Sequence, residues 1–262
     1  MEKNVNMFLL VLVLLVAAAL AGSSVYYQSS MDKITSKMLL RSAGIPVADF
    51  LAYHISERDA ISYDEVAGRL GVPFMIKSAA LGSSIGVSRV DDQKGFKSAL
   101  DDSFRYDTRI IIESFVAGRE MECAIIGNES PQATMPGEIT LVKGYGFYTY
   151  KAKYLDEDAI SVSIPAAVDE ETSNLIRRLS IEAYKTLRCE DFARVDLFLT
   201  PAGEVFINEI NSIPGFTDVS MFPMLWKHMG VSYMELISRL ISSALDRWKQ
   251  TAKLETDYIN EE

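Results

Sequence analysis

Apolar and polar positions alternate with a period of two from Phe192 to Leu199, pause at Thr200-Pro201-Ala202-Gly203, and resume from Glu204 to Ile210. Successive strand residues point to opposite faces, so this stretch is predicted to be a hairpin with a four-residue turn. Helical patterns cover Ser30 to Ser42, closed by Gly44 and Pro46, and Tyr63 to Leu70, ended by Gly71. They recur over Asp91 to Asp102, Glu170 to Leu187 and Ser232 to Trp248. Strands are predicted over Val47 to Tyr53, Phe74 to Lys77 and Arg109 to Glu113. Glu120 to Gly127 reads as a hairpin partner of the last, through a turn at Val116-Ala117-Gly118. Two stretches break the pattern: the small-residue loop Ser78 to Gly86, and the polar, aromatic Lys143 to Asp158. Loops of the second size often act as lids, although a plain surface loop has the same composition. The tail from Lys249 is charged and is expected to fray.

The amino terminus departs from this alternation. Met7 to Ala21 is an unbroken apolar run. As a helix it would span about 22 Å, short of a hydrocarbon core about 30 Å thick. Its length suits a signal-peptide apolar region, with Ala19-Leu20-Ala21 as a small-residue cleavage site. A membrane anchor and a buried core fragment are the other readings.

Composition narrows the class. A chain of 262 residues that is 48% hydrophobic can bury a sizeable core. A net charge of -10 argues against nucleic acid as a partner, since phosphate neutralisation needs basic surface. Cys123 and Cys189 lie in apolar contexts and are expected to be reduced thiols. His54 and His228 are isolated, and no Cys/His cluster has zinc spacing.

Chemistry concentrates on the predicted hairpin. Arg194, Asp196 and Phe198 share one face of the outgoing strand, and Val205, Ile207, Glu209 and Asn211 one face of the return. If Asp196 lies opposite Ile207, Glu209 is its diagonal neighbour at roughly 7–8 Å. Two carboxylates and an amide so placed suit Mg²⁺ or Mn²⁺, which retain water and phosphate ligands. A slip of one residue would part them. Taken alone, both carboxylates could equally be solvated strand residues. The loop after Lys77 offers hydroxyls and backbone N–H groups to an anion, but it lacks the Gly-Lys-Ser/Thr of a P-loop.

Together these segments resemble the ATP-grasp superfamily, and within it the D-alanine–D-alanine ligases. The resemblance runs from about Gly22 to Leu245 and is carried by motifs in a fixed order. They are Met31-Asp32-Lys33, Ile76-Lys77 with Gly82-Ser83-Ser84-Ile85-Gly86-Val87, and Ile112-Glu113 with Gly118-Arg119-Glu120. Tyr150-Lys151-Ala152-Lys153-Tyr154, Ala193-Arg194-Val195-Asp196, and Asn208-Glu209-Ile210-Asn211 leading to Pro214-Gly215-Phe216-Thr217 complete them.

The resemblance implies an α+β ATP-grasp fold, two subdomains whose antiparallel sheets grip ATP. The expected division is an apolar segment over 1–21, a linker helix and small subdomain over 22–105, a large subdomain over 106–250, and a tail over 251–262. It implies that Lys33 and Lys77 contact ATP phosphates beneath a loop carrying Ser83 and Ser84, with Lys153 reaching the γ-phosphate from the lid. Glu113, Val116 and Glu120 would hold the adenine–ribose end, and Asp196, Glu209 and Asn211 two Mg²⁺ or Mn²⁺ ions. Arg194 would stabilise the reacting carboxyl group, Ser220 would receive the second amino acid's carboxylate, and Ser83 with Tyr154 would join loop to lid.

The implied activity joins two D-alanines through an acyl phosphate, giving D-alanyl-D-alanine for peptidoglycan. Joining D-alanine to D-lactate or D-serine is the near alternative, and Tyr154 favours the dipeptide. Family members carry a further amino-terminal domain that helps bind the first D-alanine, and here it is expected to be missing. An impaired ATP-binding remnant is therefore a second alternative. The resemblance also implies a homodimer. ATP chemistry and reduced thiols set the cytoplasm as the expected compartment, with anchoring through residues 7–21 as the alternative.

Overall fold

The computed structural model describes residues 32–82, 84–141 and 160–254. The apolar run at 7–21, Ser83, and the lid stretch with Lys153 and Tyr154 lie outside those residues. From the described residues come two antiparallel sheets, one of four strands and one of six.

Helix α1 (Lys33–Ser42) is capped by Asp32, whose side chain accepts from the Thr35 N–H. The chain then makes β1 (Phe50–His54), a short 3₁₀ turn (Ile55–Ala60) and α2 (Tyr63–Leu70). Strands β2 (Phe74–Ser78) and β3 (Val87–Val90) follow, then α3 (Gln93–Phe104) and β4 (Arg109–Ser114). The four strands pair in the order β1-β4-β2-β3. Beneath them Val66, Phe74, Phe96, Leu100 and Ile112 form one apolar cluster. Phe74 and Phe96 meet edge to face at 5.9 Å, a favoured arrangement of ring quadrupoles.

The larger sheet is built from β5 (Arg119–Ile126), β6 (Gln132–Ala133), β7 (Gly137–Leu141), β8 (Ile160–Ser163), β9 (Phe192–Leu199) and β10 (Val205–Asn211). Its order is β10-β9-β5-β7-β8, with β6 beside β5. Helix α4 (Glu170–Thr186) covers one face, setting Ile176, Leu179 and Ala183 on Met121, Cys123, Val195 and Leu197. Helices α5 (Met221–His228) and α6 (Tyr233–Thr251) cover part of the other, where Phe222, Trp226 and Leu236 meet Ala124 and Ile126. The charged end of α6 stays helical through Thr251, past the predicted fraying point at Lys249. Both cysteines are free; burial pushes the Cys123 thiol up to about 11 and that of Cys189 to about 12.

One predicted pairing is corrected. β5 does not fold back on β4: it pairs with β9 over its whole length, in the other sheet. Both edges of β4 are taken, since Glu113 lies opposite Phe50 of β1 and Met75 of β2. The chain therefore crosses between sheets at Phe115–Gly118, which groups β4 with the residues before 105. Gly118 is needed for the crossing, because a Cβ there would stand 2.7 Å from the Leu199 carbonyl oxygen.

Candidate functional site

The β9–β10 ribbon carries the acidic half of the site. On β9 the alternation is as predicted: Ala193, Val195, Leu197 and Leu199 are buried, and Arg194, Asp196 and Phe198 face the other way. The return strand differs. Ile207 pairs with Leu197, Asn208 bulges, and Glu209 then pairs with Asp196. A bulge adds one residue and so shifts the alternation by one. Val205, Ile207 and Ile210 enter the core, while Glu209 and Asn211 face the cleft beside Asp196. Glu209 is thus directly opposed to Asp196 rather than diagonal to it, and Val205 and Ile207 do not share its face.

These acids are already engaged. Arg194 grips Asp196 with both arms, Nε to Oδ1 at 2.7 Å and Nη2 to Oδ2 at 2.8 Å. The Asn211 amide donates to Asp196 Oδ2 at 3.0 Å. Glu122, buried on β5 opposite Asp196, approaches Arg194 Nε at 2.9 Å. Burial alone would lower the Arg194 pKa, but Asp196 and Glu122 hold it well above the usual value.

The basic half comes from β2 of the small sheet and from helix α1. Lys77 Nζ donates to Glu113 Oε2 at 2.6 Å and to Asn208 Oδ1 at 3.2 Å, linking the two sheets. Lys33 Nζ donates to the Leu81 carbonyl at 2.6 Å and lies 3.5 Å from Glu209 Oε2. Lys37, one turn beyond Lys33, lies 3.1 Å from Glu113 Oε1. Burial would raise the Glu113 pKa, but Lys37 and Lys77 outweigh it and bring it down to about 2. Burial pulls Lys37 below its ordinary value, with Glu113 opposing.

Between the halves lies a cavity of about 390 Å³. Lys33, Lys77, Glu113, Asp196 and Glu209 line it together, as do Ser84 of the small-residue loop, Val116 and Glu120. That loop closes by a Ser78 N–H to Gly86 carbonyl bond at 3.1 Å, with Ser84 and Gly86 at positive φ of 58° and 65°. Ser220 lies elsewhere, at the amino end of α5, where its Oγ accepts from the Thr217 N–H at 3.1 Å. Sequence reasoning missed Lys37, Glu122 and Asn208. The first two carried a signal: Lys33, Ser36, Lys37 and Leu40 form one stripe at helical spacing, and Glu122 follows Glu120 at strand spacing.

The donor set fits a hard cation. Directly opposed strand residues stand about 5 Å apart at Cβ, and half a turn of the Asn211 amide presents oxygen. Among the described residues no group of three or more His, Cys, Asp or Glu could hold a metal. A cation between Asp196 and Glu209 would complete its shell with water or phosphate oxygens, as Mg²⁺ does.

Known proteins resemble this chain over most of its length. The family model "D-ala D-ala ligase C-terminus" matches residues 39–242. The D-alanine–D-alanine ligase of Shouchella clausii is 44% identical over 97% of this chain and 68% of its own. Ligase A of Escherichia coli K12 is 46% identical over 90% of this chain and 64% of its own. Among solved structures, the Enterococcus faecalis VanG D-Ala:D-Ser ligase matches 85% of this chain and 64% of its own, at TM-score 0.77 and 32% identity. The D-alanine–D-alanine ligase of Coxiella burnetii matches 86% and 60% at TM-score 0.73 and 33% identity. The chain thus spans about two thirds of the curated relatives' length and slightly less of the solved ones.

Proposed function

Because the chain belongs to the D-alanine–D-alanine ligase family, and has the ATP-grasp fold of its structural relatives, we propose that it supplies the nucleotide and metal machinery of an ATP-dependent ligase. Two D-alanines are its substrates and D-alanyl-D-alanine its product. The observation that carries this is the facing of two unlike walls across one cleft: Lys33 and Lys77 on one side, Asp196 and Glu209 on the other.

A carboxylate is a poor acyl donor, so the first D-alanine is activated by taking the γ-phosphoryl group of ATP. Lys33 and Lys77 would neutralise phosphate charge during that transfer, beneath the loop carrying Ser83 and Ser84. Asp196, Glu209 and Asn211 would hold two Mg²⁺ ions, which supply charge neutralisation and alignment at the β- and γ-phosphates. Val116 and Glu120 would frame adenine and ribose, while Glu113, expected there with them, has its carboxylate engaged by Lys37 and Lys77 and would act through Lys77. Arg194 would stabilise the oxyanion formed when the second amine attacks, and Ser220 would orient that amino acid's carboxylate. Lys153 and Tyr154 would serve from the lid, which would keep water from the acyl phosphate.

The test is phosphate release from ATP and Mg²⁺ with and without D-alanine. D-alanine-dependent release with dipeptide formation is expected. A melting point raised by ATP without any release would instead indicate an impaired remnant. A second reading, D-serine as the acceptor, is favoured by the likeness to the VanG ligase, and competing D-serine and D-lactate against D-alanine in the same assay decides it. We place the activity in the cytoplasm, where ATP is available, with dimerisation read by sedimentation. Among the described residues no helix is long and apolar enough to cross a membrane.

A further inference from the structure

We propose that Lys37 is a positioning residue for nucleotide phosphate binding: it holds the buried Glu113 carboxylate so that Lys77 is released to the ligand. This rests on the nucleotide reading above and assigns the residue behind it.

Glu113 is 2% exposed and its carboxylate is divided between two lysines. Oε2 takes Lys77, which lines the cavity, and Oε1 takes Lys37, which stands behind it with its side chain 1% exposed. A buried ammonium is costly, and helix α1 has solvated positions at which a lysine would cost nothing. With Lys77 as its sole partner, Glu113 would be stranded without a counter-ion whenever Lys77 turned towards a phosphate. That stranding would be subtracted from nucleotide affinity. Lys37 removes the conflict, because Glu113 keeps one cation whatever Lys77 does. It also leaves the three groups with one net positive charge beside a site for polyphosphate. Lys33 and Lys37 are four residues apart on one helical face, so α1 delivers both the lysine at the cleft and the one behind it.

The experiment compares binding of AMP-PNP with Mg²⁺, and of adenosine, to the unmodified chain and to Lys37→Gln and Lys37→Arg, by calorimetry. Lys37→Gln keeps a donor for Glu113 but no charge. It is expected to weaken AMP-PNP by about tenfold, roughly 1.4 kcal/mol, and to leave adenosine unchanged, since adenosine has no phosphate for Lys77. Lys37→Arg, which keeps the charge, is expected to retain both affinities. Unchanged AMP-PNP affinity in Lys37→Gln, or equal losses of AMP-PNP and adenosine, overturns the proposal. If Lys37→Gln does not fold, Lys37→Gln with Glu113→Gln is compared with Glu113→Gln alone. Equal AMP-PNP affinity supports the proposal, because no carboxylate remains to be held, and a further loss overturns it. An unmodified chain that binds neither ligand would overturn the nucleotide reading itself, a result distinct from any of these.

Discussion

The two walls of the cleft use one construction with opposite signs. Between the small sheet and helix α1 a buried acid sits between two cations, Lys37–Glu113–Lys77. On the large sheet a cation sits between two acids, Glu122–Arg194–Asp196. On the small-sheet side Lys37 stands behind the cavity and Lys77 lines it, whereas on the large sheet both Glu122 and Asp196 line it, Glu122 being buried. The first set nets one positive charge and suits phosphate; the second nets one negative charge and suits a cation. In the first, Lys37 would let Lys77 change partners without stranding Glu113; in the second, Glu122 and Asp196 both face the cavity and share Arg194. The difference lies in what the centre does. Glu113 is enclosed and serves its neighbours, whereas Arg194 is itself proposed to meet the reacting group.

The largest effect is therefore expected from removing the centre that is proposed to meet the reacting group. Arg194→Met should lower kcat by about 10²–10³, the cost of losing a preorganised charge at a developing oxyanion. It should also lower stability by about 3–5 kcal/mol, because Glu122 is left as a buried acid without its cation. Urea unfolding reads the second effect. Adding Glu122→Met should restore most of the stability and none of the activity. If the double variant is no more stable than Arg194→Met, Glu122 is not held by Arg194 and the likeness between the walls fails.

The enclosed centre should show itself in acid. The folded Glu113 pKa, about 2, lies below its ordinary value of 4.5. A depressed carboxylate pKa means that its contribution to stability is complete above about pH 4.5 and is lost as pH falls towards 2. Urea midpoints measured from pH 6 to pH 2.5 should fall more steeply for the unmodified chain than for Glu113→Gln over the acid part of that range. Parallel curves would show that the two lysines do not hold Glu113 ionised.

Much of this arrangement was legible in the sequence, and what was not has a common cause. The helix Tyr63–Leu70 and the strand Phe192–Leu199 match their predicted limits because a glycine and a turn punctuate a clean period. The cleft face of β9 followed from that period. The return strand misled, since a bulge changes the faces of β10 without changing its composition, and alternation alone set Glu209 with Ile207. The β4–β5 hairpin misled because a short glycine-containing link serves equally to turn within a sheet or to cross between sheets. Only β1 and β2, brought to β4 by tertiary pairing, decide which. Lys37 and Glu122 were missed because their burial depends on partners 76 and 72 residues away, Glu113 and Arg194 respectively. The metal ligands and the lid were read from the hairpin and from a long polar loop, the roles of the lysines and of Ser220 came from resemblance, and Ser83, Lys153 and Tyr154 fall outside the described residues.

The smallest expected effect tests the link between the walls. Asn208 is the bulged residue, and its amide oxygen accepts from Lys77 across the cleft at 3.2 Å. A hydrogen bond to a charged group contributes about 1.5–3 kcal/mol when well buried, and this partly exposed one should contribute less, about 1 kcal/mol. Asn208→Ala leaves the pairing of Glu209 with Asp196 in place, because backbone register, not the amide, sets it. Lys77 has three N–H donors, so it can keep this bond while turning from Glu113 to phosphate. Losing an aligner kept in the complex should therefore raise the KM for ATP about fivefold at nearly unchanged kcat, the signature of lost uniform binding. A large fall in kcat with unchanged KM would mean instead that the bulge side chain acts at the reacting phosphate, and that the walls are joined by chemistry rather than by alignment.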